Sequence, residues 1–141
     1  MFFKKILVPL DGSEPSGRAL DASIQFAKKF NSKLVLLTVY SATGVAAPSP
    51  ELSGMAIERA RDSCQKILEE AEAEVRSETI EVESELAAGN AVDVIVKKSK
   101  EGEFDLIVMG ARGLSTIKKI LVGSVSEGVI KNASCPVLIV K

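Results

Sequence analysis

Leu34-Val35-Leu36-Leu37-Thr38-Val39 is the stretch from which the fold class can be read. Its apolar and β-branched side chains run almost without interruption, so both faces of the strand must be covered. Strands of that kind belong to parallel sheets with helices on each side. The stretch is therefore expected at the centre of such a sheet. On its amino-terminal side, Leu20, Ile24 and Ala27 form the inward stripe of a helix that runs from an N-cap at Ser13 to about Phe30. Before that helix, Ile6-Leu7-Val8-Pro9-Leu10 reads as a first strand and Asp11-Gly12-Ser13 as the turn that ends it.

On the carboxyl-terminal side, Ser41 to Gly54 contains Gly44, Pro48 and Pro50 and reads as a loop. Ile57, Ala60, Cys64, Ile67, Leu68, Ala71 and Val75 then recur at three and four residues, the period of a long amphipathic helix facing a core. Glutamate occupies every second position of Ile80-Glu81-Val82-Glu83-Ser84-Glu85-Leu86, which suits an edge strand with one solvated face. Gly89-Asn90 breaks that strand. Asn90 is a good N-cap, with Asp93 in the first turn of a helix burying Val92, Ile95 and Val96. A fourth strand spans Asp105 to Met109, a last helix about Ser124 to Asn132, and a last strand Val137 to Val140. Strands alternating with helices define an α/β protein, and no internal repeat interrupts the order.

The chain has 141 residues, 46% hydrophobic and 26% charged, which fits a single globular domain. Its net charge of -1 lacks the basic excess that non-specific nucleic-acid binding needs, so no nucleic-acid partner is expected. The absence of histidine excludes a Ser-His-Asp triad, a Cys-His pair and histidine-ligated metal. Cys64 and Cys135 lie in no metal-ligand spacing and read as buried reduced thiols, with a disulfide as the second reading. Met1-Phe2-Phe3-Lys4-Lys5-Ile6-Leu7-Val8 is too short, and too soon followed by Pro9 and Asp11, for a signal peptide or a membrane span. A cytoplasmic protein with no membrane association is expected.

Chemistry gathers at Gly110-Ala111-Arg112-Gly113 and, nine residues later, at Gly123-Ser124-Val125-Ser126. Gly110 follows strand four and Gly123-Ser124 opens the last helix, so both fall at the carboxyl end of the sheet, where such sheets bind ligands. A helix start offers free N–H groups and a positive dipole end, and glycine lets a phosphate approach the backbone. Ser124 and Ser126 add hydroxyl donors. A second reading has Gly110 and Gly113 serving tight turns and Ser124 capping a helix, and these cues leave both open. A charge near a helix start gains only about 0.3–1 kcal/mol, so a polyphosphate would need a cation as well. Arg112 is one source, and a divalent ion held by Asp11 and phosphate oxygens is another; Lys118 and Lys119 read as solvated surface.

Together with Ile6-Leu7-Val8-Pro9-Leu10-Asp11-Gly12-Ser13, Asp105-Leu106-Ile107-Val108-Met109 and Cys135-Pro136-Val137-Leu138-Ile139-Val140, this spacing resembles the ATP-binding branch of the universal stress proteins. The likeness covers nearly the whole chain. It implies an open five-stranded parallel sheet of order 3-2-1-4-5, with helices on both faces, in which Asp11 and Gly110 meet at the switch point. It further implies that Pro9, Leu10, Asp11 and Val39 surround adenine and ribose, and that Met109, Gly110, Arg112 and Gly113 cover the ribose and first phosphates. Gly123, Ser124, Val125 and Ser126 would take the outer phosphates, with Mg²⁺ or Mn²⁺ bound through them.

A complete binding motif beside an incomplete catalytic set points to a nucleotide-dependent signalling or stress-response module that acts by binding, with an unidentified protein partner. The alternatives are a slow ATPase or phosphotransferase, for which Asp11 is the one candidate base, and a nucleotide-free interaction protein. Neither a P-loop nor a Gly-x-Gly-x-x-Gly turn is present. Val137 to Val140 is apolar and ends the chain. In the implied strand order it is an edge, so a homodimer through this strand is expected.

Overall fold

A buried apolar strand must find partners for its backbone N–H and C=O groups on neighbouring strands. In the computed structural model, which describes residues 2–42, 48–111 and 122–141, five strands do so. They are β1 (Lys5–Pro9), β2 (Lys33–Tyr40), β3 (Val82–Ala88), β4 (Leu106–Gly110) and β5 (Val137–Val140). The order is β3-β2-β1-β4-β5, with every neighbouring pair parallel. This is the order the family resemblance implied. β1 is the central strand, flanked by β2 and β4, so the apolar stretch at residues 34–39 sits one strand from the centre rather than on it.

Parallel strands need crossovers, supplied by α1 (Glu14–Phe30), α2 (Pro50–Ser77), α3 (Ala91–Glu101) and α4 (Ser124–Asn132). The strand period of two divides the apolar residues between them. Ile6, Val8, Leu34, Leu36, Leu106 and Val108 face Leu20, Ile24 and Ala27 of α1 and Leu68, Ala71 and Val75 of α2. Leu7, Val35, Leu37, Ile107 and Met109 face Ile95 of α3 and Val129 of α4. Every helix thus starts at the carboxyl end of the sheet, which brings the starts of α1, α3 and α4 close to the ends of β1 and β4. Among the described residues, no helix is long and apolar enough to cross a membrane.

Several boundaries differ from the sequence expectation. α2 begins at Pro50 rather than after Gly54, because Ser49 accepts a hydrogen bond from Leu52 N–H at 3.2 Å while Pro50 and Glu51 fill the first turn. β3 lies two residues later than read, since Glu78 and Thr79 turn the chain and pairing starts at Leu34 and Val82. The shift of two keeps the faces correct. Glu81, Glu83 and Glu85 are not merely solvated: Lys33 pairs with Glu83 at 2.6 Å and Glu81 at 3.7 Å, and Lys98 pairs with Glu85. Val92 and Val96 are half-buried, and Ile95 is the fully covered apolar residue of α3. Cys64 and Cys135 are free and half-buried, and desolvation holds both thiols above their ordinary pKa.

Thr38 is 1% exposed, and its hydroxyl is the one buried side-chain polar atom among the described residues without a hydrogen-bond partner. An unsatisfied buried polar group costs about 1–3 kcal/mol. Thr38→Val keeps the shape and removes the hydroxyl, so it is expected to raise stability by about 1 kcal/mol. The check is an upward shift of the urea midpoint at unchanged slope; an unchanged or lower midpoint would show that the hydroxyl is satisfied.

Candidate functional site

β1 ends in Pro9, after which the chain turns through Asp11 and Gly12 into α1. Asp11 Oδ1 accepts from Ser13 N–H at 2.9 Å and from the Ser13 hydroxyl at 2.5 Å. Ser13 Oγ in turn accepts from Ser16 N–H at 3.3 Å. Asp11 therefore braces the N-cap of α1 through one carboxylate oxygen, and the residue is exposed. Leu10 N–H donates to the Leu37 carbonyl at 2.8 Å, carrying the β1–β2 ladder one residue past the strand.

β4 ends in Gly110, and the reason for glycine there is steric. A Cβ at Gly110 would stand 2.7 Å from the Pro15 carbonyl carbon and 2.8 Å from Ser16 N, inside the first turn of α1. The residue was singled out as a place for phosphate to approach. Its missing side chain instead admits α1, and what it can present to a ligand is backbone.

α4 starts differently from α1 and α3. Asn90 caps α3 by accepting from Asp93 N–H at 3.1 Å, and Ser13 caps α1. The N-cap of α4 is Gly123, at φ −74° and ψ 168°, with no side-chain cap bond. Ser124 is the first helical residue rather than the cap. Its exposed hydroxyl and the amides of the first turn make up the positive end of the helix. Ser126 is 3% exposed and donates its hydroxyl to the Gly110 carbonyl at 2.7 Å, so its single proton is engaged within the protein. Gly123 N–H donates to the Ala111 carbonyl at 2.6 Å, a second tie between the end of β4 and the start of α4.

These segments enclose a cavity of about 250 Å³. Pro9, Leu10, Asp11, Val39, Met109, Gly110, Gly123, Ser124, Val125 and Ser126 all line it. Arg112 and Gly113 lie outside the described residues, as do Lys118 and Lys119. Among the described residues, Ser16, Leu37, Ala91 and Ile95 also line it, and the sequence does not single them out. Leu37 was legible there, since it lies two residues before Val39 on the same face of β2. Ala91 and Ile95 carried a weaker signal: α3 also starts at the carboxyl end of the sheet, and these two residues share one face of it. Leu37, Val39, Ile95 and Met109 make one side of the cavity apolar. Asp11 and the open start of α4 add polar groups to the lining.

Residues 2–141 match the family model described as the universal stress protein family. The chain is 34% identical over 147 residues to the universal stress protein YxiE of Bacillus subtilis, with 99% of each chain covered. The structure of the universal stress protein UspA from Lactobacillus plantarum superposes with a TM-score of 0.91 over 100% of this chain and 99% of that one. At 22% identity this is a likeness of fold. A universal stress protein solved in complex with cAMP is 31% identical, with a TM-score of 0.72 over 99% of this chain and 98% of that one. A match that runs over the same strands, helices and turns just described, from residue 2 to residue 141, makes this chain a member of the universal stress protein family.

Proposed function

We propose that the protein binds ATP in the cavity at the carboxyl end of the sheet and acts through that binding, as a cytoplasmic nucleotide-dependent signalling or stress-response module that recruits a protein partner. The observation that carries this reading is the polarity of the cavity. Its lining combines the apolar side chains of Leu37, Val39, Ile95 and Met109 with the helix start that has no side-chain cap. A planar base fits the first and an anion the second. Pro9, Leu10, Asp11 and Val39 are assigned to adenine and ribose, and Met109 and Gly110, with Arg112 and Gly113, to the ribose and first phosphates. Gly123, Ser124, Val125 and Ser126 take the outer phosphates, mainly through backbone amides and the Ser124 hydroxyl.

Among the described residues no group of three or more His, Cys, Asp or Glu side chains could hold a metal. One carboxylate suffices for Mg²⁺ or Mn²⁺ when phosphate oxygens and water supply the other ligands, and Asp11, whose Oδ1 braces Ser13, has its second oxygen for that part.

The relative that holds cAMP favours a second reading, in which the ligand is a monophosphate or cyclic nucleotide. Calorimetry with ATP, AMP and cAMP separates the two: ATP binds more tightly than either, because only ATP reaches the α4 start with its outer phosphates. Equal or weaker ATP affinity would overturn the phosphate assignment. Gly123 has a backbone conformation open to any residue, so Gly123→Val is expected to fold and to lose ATP binding. Undiminished binding by the folded variant would sink the site.

Hydrolysis is expected to be very slow or undetectable, since Asp11 is the one carboxylate lining the cavity and already accepts two hydrogen bonds. A turnover on the order of 10 per second would make the protein an ATPase.

A homodimer through β5 belongs to the same reading. The Ile107 N–H donates to the Pro136 carbonyl and the Ala111 N–H to the Val140 carbonyl, so the N–H and C=O groups of Val137 and Ile139 point away from β4. The Lys141 carbonyl accepts from Arg18 Nε at 2.8 Å, leaving a two-residue apolar edge that an antiparallel second copy would cover. Sedimentation at low micromolar concentration should give the dimer mass, and Ile139→Pro, which removes an outward N–H, the monomer. A wild-type monomer would refute the dimer.

A further inference from the structure

α4 carries a glycine in its interior, where glycine is about 1 kcal/mol less favourable than alanine. The steric surroundings of Gly128 account for it. A Cβ there would stand 2.7 Å from Cγ2 and 3.0 Å from Cγ1 of Val92, on the first turn of α3. Valine is stiff in a helix. Because both methyls face Gly128, either of the other staggered rotamers still leaves one of them in place. The contact is a hard stop between the two helices.

Its position relates it to the cavity. On α3, Ala91 adjoins Val92 and Ile95 lies one turn further on, and both line the cavity. On α4, Ser124 lies four residues before Gly128 and shares its face. Val92 and Gly128 themselves line none of it. We propose that the Val92–Gly128 contact sets the gap between α3 and α4, and with it the reach from the apolar wall at Ala91 and Ile95 to the phosphate end at Ser124. Gly128 is thereby a positioning residue for the nucleotide. This rests on the reading of the cavity as a nucleotide site.

Gly128→Ala pushes the helices apart, so ATP affinity falls about tenfold or more, equivalent to about 1.4 kcal/mol. Adenosine, which has no phosphate to place on α4, weakens less. The double variant Val92→Ala/Gly128→Ala removes the obstructing methyls and brings ATP affinity back towards wild type. Calorimetry with ATP and adenosine reads the effect, and thermal unfolding shows which variants are folded. Should Gly128→Ala not fold, Val92→Ile presses on the same contact from α3 and is expected to weaken ATP more than adenosine. ATP binding at wild-type strength by folded Gly128→Ala (or by Val92→Ile in its place), ATP and adenosine weakened equally, or no recovery in the folded double variant would overturn the proposal. Wild-type protein that binds neither ATP nor adenosine would instead overturn the nucleotide reading beneath it.

Discussion

The carboxyl end of the sheet is built on a side chain that is missing. At Gly110 the first turn of α1 lies so close to the end of β4 that a single Cβ would collide with Pro15 and Ser16. This approach seats α1 across β1 and β4, the strands at which the order of the sheet reverses. The Gly110 carbonyl then accepts the Ser126 hydroxyl from the opposite layer. One residue thus fixes α1 on one face and α4 on the other, and the cavity lies where the two layers meet. A larger residue at position 110 would act on the fold before any ligand was involved, so its importance cannot be assigned to binding alone.

The two edges of the sheet are treated differently. On β3, Glu83 and Glu85 are paired to Lys33 and Lys98, which places charge on the edge and discourages another strand from adding there. On β5 the four residues Val137 to Val140 carry no charge and are half-buried. Arg18 satisfies the Lys141 carbonyl beyond them, which shortens the exposed edge without closing it. The asymmetry gives the sheet one edge that repels a further strand and one that would accept it.

The fold was legible because local signals and tertiary arrangement agree. Unbroken apolar runs at β1, β2 and β4 required cover on both faces, and Ser13 and Asn90 marked helix starts that the structure retains. The α4 and β5 boundaries coincide with those read from the sequence. The start of α2 was misplaced because Gly54 and two prolines read as loop, whereas Ser49-Pro50-Glu51 is itself a helix start. Strand order is a long-range property, and it came through family resemblance rather than periodicity. At the site, turn chemistry marked Asp11, Gly110 and the Gly123-Ser124 helix start, whereas Pro9, Leu10, Val39 and Met109, which also line the cavity, were named through family resemblance. Ala91 and Ile95 were not, because an alanine and an isoleucine on a helix look the same whether they face a core or a cavity. At Gly110 the limit is a related one: sequence shows that a side chain is absent, and the structure shows that α1 fills its place.

The caps at the three helix starts supply the last step. α1, α3 and α4 all open towards the cavity, so dipoles alone would not tell which of them an anion prefers. Ser13 and Asn90 already supply an oxygen to the first turns of α1 and α3. A glycine at the same position of α4 supplies none. Orphan amides seek an acceptor, and the start whose own chain offers no side-chain oxygen has the most to gain from one brought by a ligand. The cavity therefore has a direction: a ligand with an apolar ring and a charged tail would lie with the ring against β2 and α3 and the tail at α4. Asp11 adds to this at the start of α1, where its carboxylate disfavours an anion unless a cation comes with it.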